Sequence, residues 1–178
     1  MRKALFVAAA AAALMLAGCS APGTPTGEAA GGQPHTPTAT PTPTPTVHVM
    51  SVDEAGKYYL ATVCPANKAQ AANNAAFTAQ DLASIKSTAA TARDAYRTEA
   101  AAFTKAEALW PPVVSAADMK LITDSDFAII ATYGAIATAG SLDSANAISN
   151  GFVDNGAGAA AQRIRLVLKL PADTSAGC

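Results

Sequence analysis

Residues 81–110 read DLASIKSTAATARDAYRTEAAAFTKAEALW, thirty positions without a glycine or a proline. Leu82, Ile85, Ala89, Ala92, Tyr96, Phe103, Ala106 and Trp110 recur along them in the three- and four-residue rhythm of a helix, with Glu99 as the polar member of the same stripe. That period lays an apolar face along an amphipathic helix about 45 Å long, and Lys86, Arg93, Arg97 and Lys105 fall mostly elsewhere. Pro111-Pro112 then ends it, because proline has no amide hydrogen and its ring clashes with the preceding turn.

The segments on either side carry helix signals of their own. Ser51-Val52-Asp53-Glu54 has the spacing of a capping box, so an earlier helix is expected from Val52 with Tyr58, Tyr59, Leu60 and Val63 on it. Pro65 is expected either to kink that helix or to open a second segment reaching Asn73-Asn74. Ser115-Ala116-Ala117-Asp118 marks the next start, with Met119, Ile122, Phe127, Ile130, Tyr133 and Ile136 expected inside and Gly140 as the stop. A last helical region spans Leu142 to Leu170, with a break expected near Asn155-Gly156-Ala157-Gly158 and with Ile164, Leu166, Val167, Leu168 and Leu170 as its apolar end. Four helical stretches with short connections predict an all-α fold, an antiparallel four-helix bundle over residues 49–178.

Composition agrees with close helix packing. Charged residues make up 14% of the chain against a usual value of about 25%, and 51% of it is apolar. Alanine supplies much of that apolar share, and it costs no side-chain entropy in a helix while letting neighbouring backbones approach.

Ahead of the helices, residues 20–47 are mostly Pro, Thr, Gly and Ala, with the alternating run Pro41-Thr42-Pro43-Thr44-Pro45-Thr46 near the end. Proline at such frequency forbids helix and ladder alike, so residues 19–48 are expected to be a disordered, semi-rigid spacer rather than core. At the start, Met1-Arg2-Lys3 is basic, Ala4 to Leu16 is an apolar run of about 13 residues, and Leu16-Ala17-Gly18-Cys19 places small residues before a cysteine. The run is shorter than the roughly 20 residues of a permanent bilayer span.

This leader, residues 1–18, resembles the signal peptide of bacterial lipoproteins, and L-A-G-C resembles their lipobox. The resemblance covers the leader alone and implies cleavage between Gly18 and Cys19. It also implies a thioether from Cys19 to diacylglycerol and fatty acyl chains such as palmitate. Two or more acyl chains hold a protein stably at a membrane, at about 0.8 kcal/mol per buried CH₂. The expected place is the extracytoplasmic face of a cell membrane, lipid-anchored.

Cys64 and Cys178 remain, an even pair in a chain read as exported, and a disulfide between them is expected. A redox or metal role fits less well, because the spacing is not C-x-x-C and neither cysteine has a histidine near it in sequence.

The chemistry inventory is sparse. Both histidines, His35 and His48, fall in the spacer or at its edge, so the helical part has no imidazole for a triad or a zinc site. No catalytic residue, metal site or cofactor is expected. The formal charge is −1, and loss of Arg2 and Lys3 with the leader leaves 10 basic against 13 acidic side chains. Nucleic acid is therefore not an expected partner. The acids Glu99, Asp118, Asp124 and Asp126 are the residue types left that could build a site.

The expectation for function is a non-enzymatic, anchored domain that binds an envelope protein or cell-wall component. The alternative is a small-molecule carrier or sensor with an interhelical pocket near Tyr96, Phe103 and Trp110. A third reading, an enzyme using carboxylates alone, needs two of the four acids in a cleft about 5–10 Å apart.

Overall fold

A computed structural model describes residues 47–178. Within them the chain forms α1 (Val52–Thr78), α2 (Leu82–Ala106), a 3-10 turn at Glu107–Leu109, α3 (Ala116–Ala137), α4 (Leu142–Asn150) and α5 (Ala157–Val167). No strand occurs among the described residues. The expected leader, the Gly18/Cys19 cleavage and lipidation site, and nearly all of the spacer lie outside them.

The helix starts follow local side-chain chemistry. At α1 the Ser51 hydroxyl accepts from the Glu54 amide while the Glu54 carboxylate accepts from the Ser51 amide at 2.8 Å. Asp81, Ser115 and Ser141 cap α2, α3 and α4 in the same sense, each satisfying an amide that has no partner within its own helix.

Pro65 lies inside a continuous α1, so of the two expectations the one that opens a second segment there is not met. The helix continues through it because Pro65 and Ala61, four residues before it, both face solvent, where water takes over the carbonyl that the proline leaves without a donor. The last region is two helices, α4 and α5, separated as expected around Asn155-Gly156. Gly156 has φ 96° there, and the Asp154 carboxylate accepts from the Gly156 and Ala157 amides.

Two apolar clusters form the core. One joins Ala66, Ala69 and Ala76 of α1 to Ile85, Ala89, Ala92 and Tyr96 of α2, Tyr133 and Ile136 of α3, and Ala145 of α4. The other joins Ala55, Tyr59 and Val63 of α1 to Phe103 of α2, Met119 and Ile122 of α3, and Ala160 and Ile164 of α5, with Leu168 just after it. Alanine dominates the first, as close helix approach requires. Three residues expected in the apolar interior lie outside it: Phe127 is 58% exposed, Leu166 76% and Val167 37%. Phe127 follows Asp126 and Leu166 follows Arg165, so each is turned about 100° away from a position that the helix period points inward.

Cys64 of α1 and Cys178 are disulfide-bonded, with Cα atoms 5.1 Å apart. The chain after α5 is also held by Arg165, 1% exposed, whose guanidinium donates to the carbonyls of Pro171 and Asp173 at 2.6 Å and of Ala176 at 3.3 Å.

Candidate functional site

Along α2 the buried positions run Ile85, Ala89, Ala92, Tyr96, Glu99, Phe103 and Ala106, alternating steps of four and three. Glu99 occupies an inward place on that lattice and is 5% exposed. Along α3 the inward sequence is Met119, Ile122, Asp126, Tyr133 and Ile136, with Ser125 beside it, and Asp126 is 3% exposed. Each helix therefore replaces one core residue by an acid between its Phe103/Ile122 level and its Tyr96/Tyr133 level. The two acids sit where the apolar clusters give way to each other.

A cleft of about 250 Å³ opens at this level. Tyr59, Val63, Asn67 and Gln70 of α1 line it, with Tyr96 and Glu99 of α2, Ile122, Ser125 and Asp126 of α3, and Ala157, Gly158, Ala161 and Arg165 of α5. Phe152, Asp154 and Thr174 complete the wall. The Tyr96 hydroxyl donates to Gln70 Oε1 at 3.0 Å, and the Tyr96 ring stacks on Tyr133 with centroids 5.9 Å apart.

Glu99 Oε2 and Asp126 Oδ2 are buried without a hydrogen-bond partner. Folded proteins give most buried polar atoms a partner, since leaving one unmade costs about 1–3 kcal/mol and more for a charged group. Burial pushes both carboxyl groups above the ordinary carboxylate range, and the Asp126 charge raises Glu99 further. Burial also raises the phenol of Tyr59, to about 12, with the charge of Glu99 adding to it. Tyr96 is raised for the same two reasons. Two acids that resist ionisation in one apolar setting form a place where positive charge, or a proton, is favoured.

The four acids expected to support a site separate into two kinds. Glu99 and Asp126 come together in the cleft. Asp118 instead accepts two bonds from Arg163, the shorter at 2.6 Å, and that guanidinium holds its carboxyl below the usual range. Asp124 pairs with Lys120 one turn away, at 2.7 Å on the surface.

The expected aromatic pocket is also divided. Tyr96 lines the cleft, whereas Phe103 and Trp110 lie 6.0 Å apart by ring centroid and neither lines it. Trp110 instead borders a larger groove of about 560 Å³ with Pro111, Pro112, Met119, Lys120 and Asp124. That groove's charged side chains include the Lys120–Asp124 pair, already satisfied by itself.

Asn73, Ser125 and Arg165 are buried polar residues that sequence reading passed over. Asn73 is structural, its amide donating to Ile85 O and Thr88 Oγ1 across α1 and α2. Asp126 had a legible signal: it lies four residues after Ile122 and seven before Tyr133, in the register of the buried face.

Among the described residues no group of three or more His, Cys, Asp or Glu side chains is placed to hold a metal ion. No described helix is long and apolar enough to cross a membrane. No protein-family model, curated protein or solved structure matches the chain.

Proposed function

We propose that the protein is an extracytoplasmic lipoprotein, anchored through Cys19, whose helical domain is a binding module that holds a small ligand in the cleft between α1, α2, α3 and α5. The observation that carries this reading is that Glu99 and Asp126 both line the cleft while one carboxylate oxygen of each, Oε2 and Oδ2, is buried with no hydrogen-bond partner from the protein. Pockets with a few convergent polar groups set among apolar walls are the common form of a small-molecule site. This favours the carrier or sensor reading over docking of an envelope protein, which calls for a surface rather than an interior.

Turnover by the acids alone fits less well, because burial favours the protonated form of both Glu99 and Asp126, whereas a carboxylate pair that cleaves a glycosidic bond needs one member ionised as nucleophile or base.

We also read the helices as the antiparallel bundle expected from short connections. Only residues 79–81 link α1 to α2. Tyr96 of α2 stacks on Tyr133, late in α3, while Phe103 shares a cluster with Met119 and Ile122, early in α3.

Two measurements test the reading. Intact mass of the protein extracted in detergent should show a chain beginning at Cys19 and carrying acyl chains, and Cys19→Ser should leave the membrane fraction. Native mass spectrometry of the same preparation should show a bound small molecule that is lost when Glu99 and Asp126 become Gln and Asn. A membrane-free wild type would overturn the anchor, and identical ligand occupancy in both forms would overturn the site.

A further inference from the structure

The cleft's chemistry narrows the kind of ligand, and the narrower assignment rests on the binding role proposed for that cleft. We propose that it takes a small organic cation, a primary alkylammonium, whose N–H groups donate to the carboxyl groups of Glu99 and Asp126.

Three observations converge on that class. Both oxygens are acceptors on side chains at least nine-tenths buried, and both lack a donor from the protein. A primary ammonium carries three donors and no acceptor, so one head group supplies both bonds and leaves one hydrogen for a further wall acceptor such as Ser125. Part of the wall is apolar or aromatic, with Tyr59, Val63, Tyr96 and Ile122 bordering the cleft beside polar residues such as Asn67 and Gln70. Alkyl carbons fit such walls, and tyrosine faces attract a cation. A metal ion suits the site less well, since hard cations take six or more oxygen ligands and no cluster of three acidic or metal-ligating side chains is present among the described residues.

The charges facing the acids decide how binding depends on pH. From α1 comes Tyr59, from α2 Tyr96, from the segment before α5 Asp154, and from α5 Arg165. Asp154 accepts from the Gly156 and Ala157 amides and Arg165 donates to three tail carbonyls, so both keep their charge but neither makes a hydrogen bond to the pair. Burial favours the protonated form of Glu99 and Asp126 when the cleft holds no cation. An entering ammonium then displaces proton from the pair, and affinity rises with pH until the amine itself deprotonates, near 10 for an alkylamine.

Titration calorimetry of the full-length protein with n-butylammonium and 1,4-diaminobutane tests this, with 1-butanol and 1,4-butanediol as uncharged counterparts and calcium chloride as the inorganic cation. The amines should bind at least about tenfold more tightly than the alcohols and about tenfold more tightly at pH 8.5 than at pH 5.5. The observed heat should change with the ionisation enthalpy of the buffer, as proton release requires. Glu99→Gln and Asp126→Asn should each weaken amine binding by at least about tenfold, while Asp124→Asn, which alters a surface pair, should leave it unchanged.

Equal binding of amines and alcohols would overturn the cation class and leave the binding site standing, as would recovery of an uncharged or anionic compound from the native protein. Calcium binding that excludes the amines would overturn it in favour of an inorganic cation. Absence of any binding, with no compound recovered from the native protein, would overturn the ligand class and the binding reading together.

Discussion

A carboxyl group withdrawn from water holds its proton more tightly, and Glu99 and Asp126 are withdrawn on two packed helices. Their raised affinity for protons belongs to the folded state and not to the unfolded chain, so the fold is favoured wherever those protons are bound. That contribution is fully present below the ordinary carboxylate range and is lost as pH rises through the raised values. The exposed acids Asp81, Asp94, Asp118 and Asp173 are shifted the other way, by hydrogen bonds or ion pairs that favour the charged form, and their contribution is lost on acidification below about pH 4. Thermal unfolding should therefore show a maximum in mildly acidic buffer, with the melting temperature falling between about pH 5.5 and pH 9. In the Glu99→Gln, Asp126→Asn double variant that alkaline decline should flatten, and a wild-type profile level across the interval would contradict the burial argument. Glu99 was legible as the polar residue on an apolar stripe. Its pairing with Asp126 was not, because a stripe shows which way a side chain points and not which helix it meets.

At the scale of elements, most helix boundaries follow from the few residues at each end. The Ser51/Glu54 capping box and the Ser115 start sit where the sequence puts them, whereas α2 ends at Ala106 and passes into the 3-10 turn Glu107–Leu109, short of the Trp110 end expected from Pro111-Pro112. Pro65 was ambiguous, since its cost depends on whether the orphaned carbonyl is wet, and solvent exposure is a tertiary property. The α4–α5 break was visible in Asn155-Gly156, and Gly156 is held at φ 96°, a conformation that side chains with a Cβ rarely adopt. A methyl group there meets nothing within 4 Å, so any penalty is conformational rather than steric. Gly156→Ala should destabilise the domain by about 1–2 kcal/mol in urea unfolding, with the α5 start and its Arg165 contacts the first to loosen. A variant as stable as the wild type would show that α5 starts equally well without the left-handed cap.

Across the whole molecule, the disulfide joins the middle of α1 to the last residue across a sequence separation of 114. In the chain-entropy account a cross-link closing a loop of that size contributes about 4–5 kcal/mol, a large share of the roughly 5–15 kcal/mol typical of a domain. Reduction, or Cys64→Ser with Cys178→Ser, should lower the urea midpoint strongly while leaving the slope little changed, provided that the unfolded chain stays expanded. A midpoint unmoved by reduction would assign the tail's attachment to Arg165 instead. The amino-acid sequence alone determined that residues 49–178 are helical, where most helices begin, and that two cysteines are free to pair, because capping, proline placement and apolar period act within one turn or one face. Only the tertiary structure decided that Glu99 and Asp126 share a cleft, that Asp118 and Asp124 do not, and that Phe127 and Leu166 face water. Those outcomes depend on which faces of separate helices meet, and the resulting burial, not residue type, sets the cost of each charge.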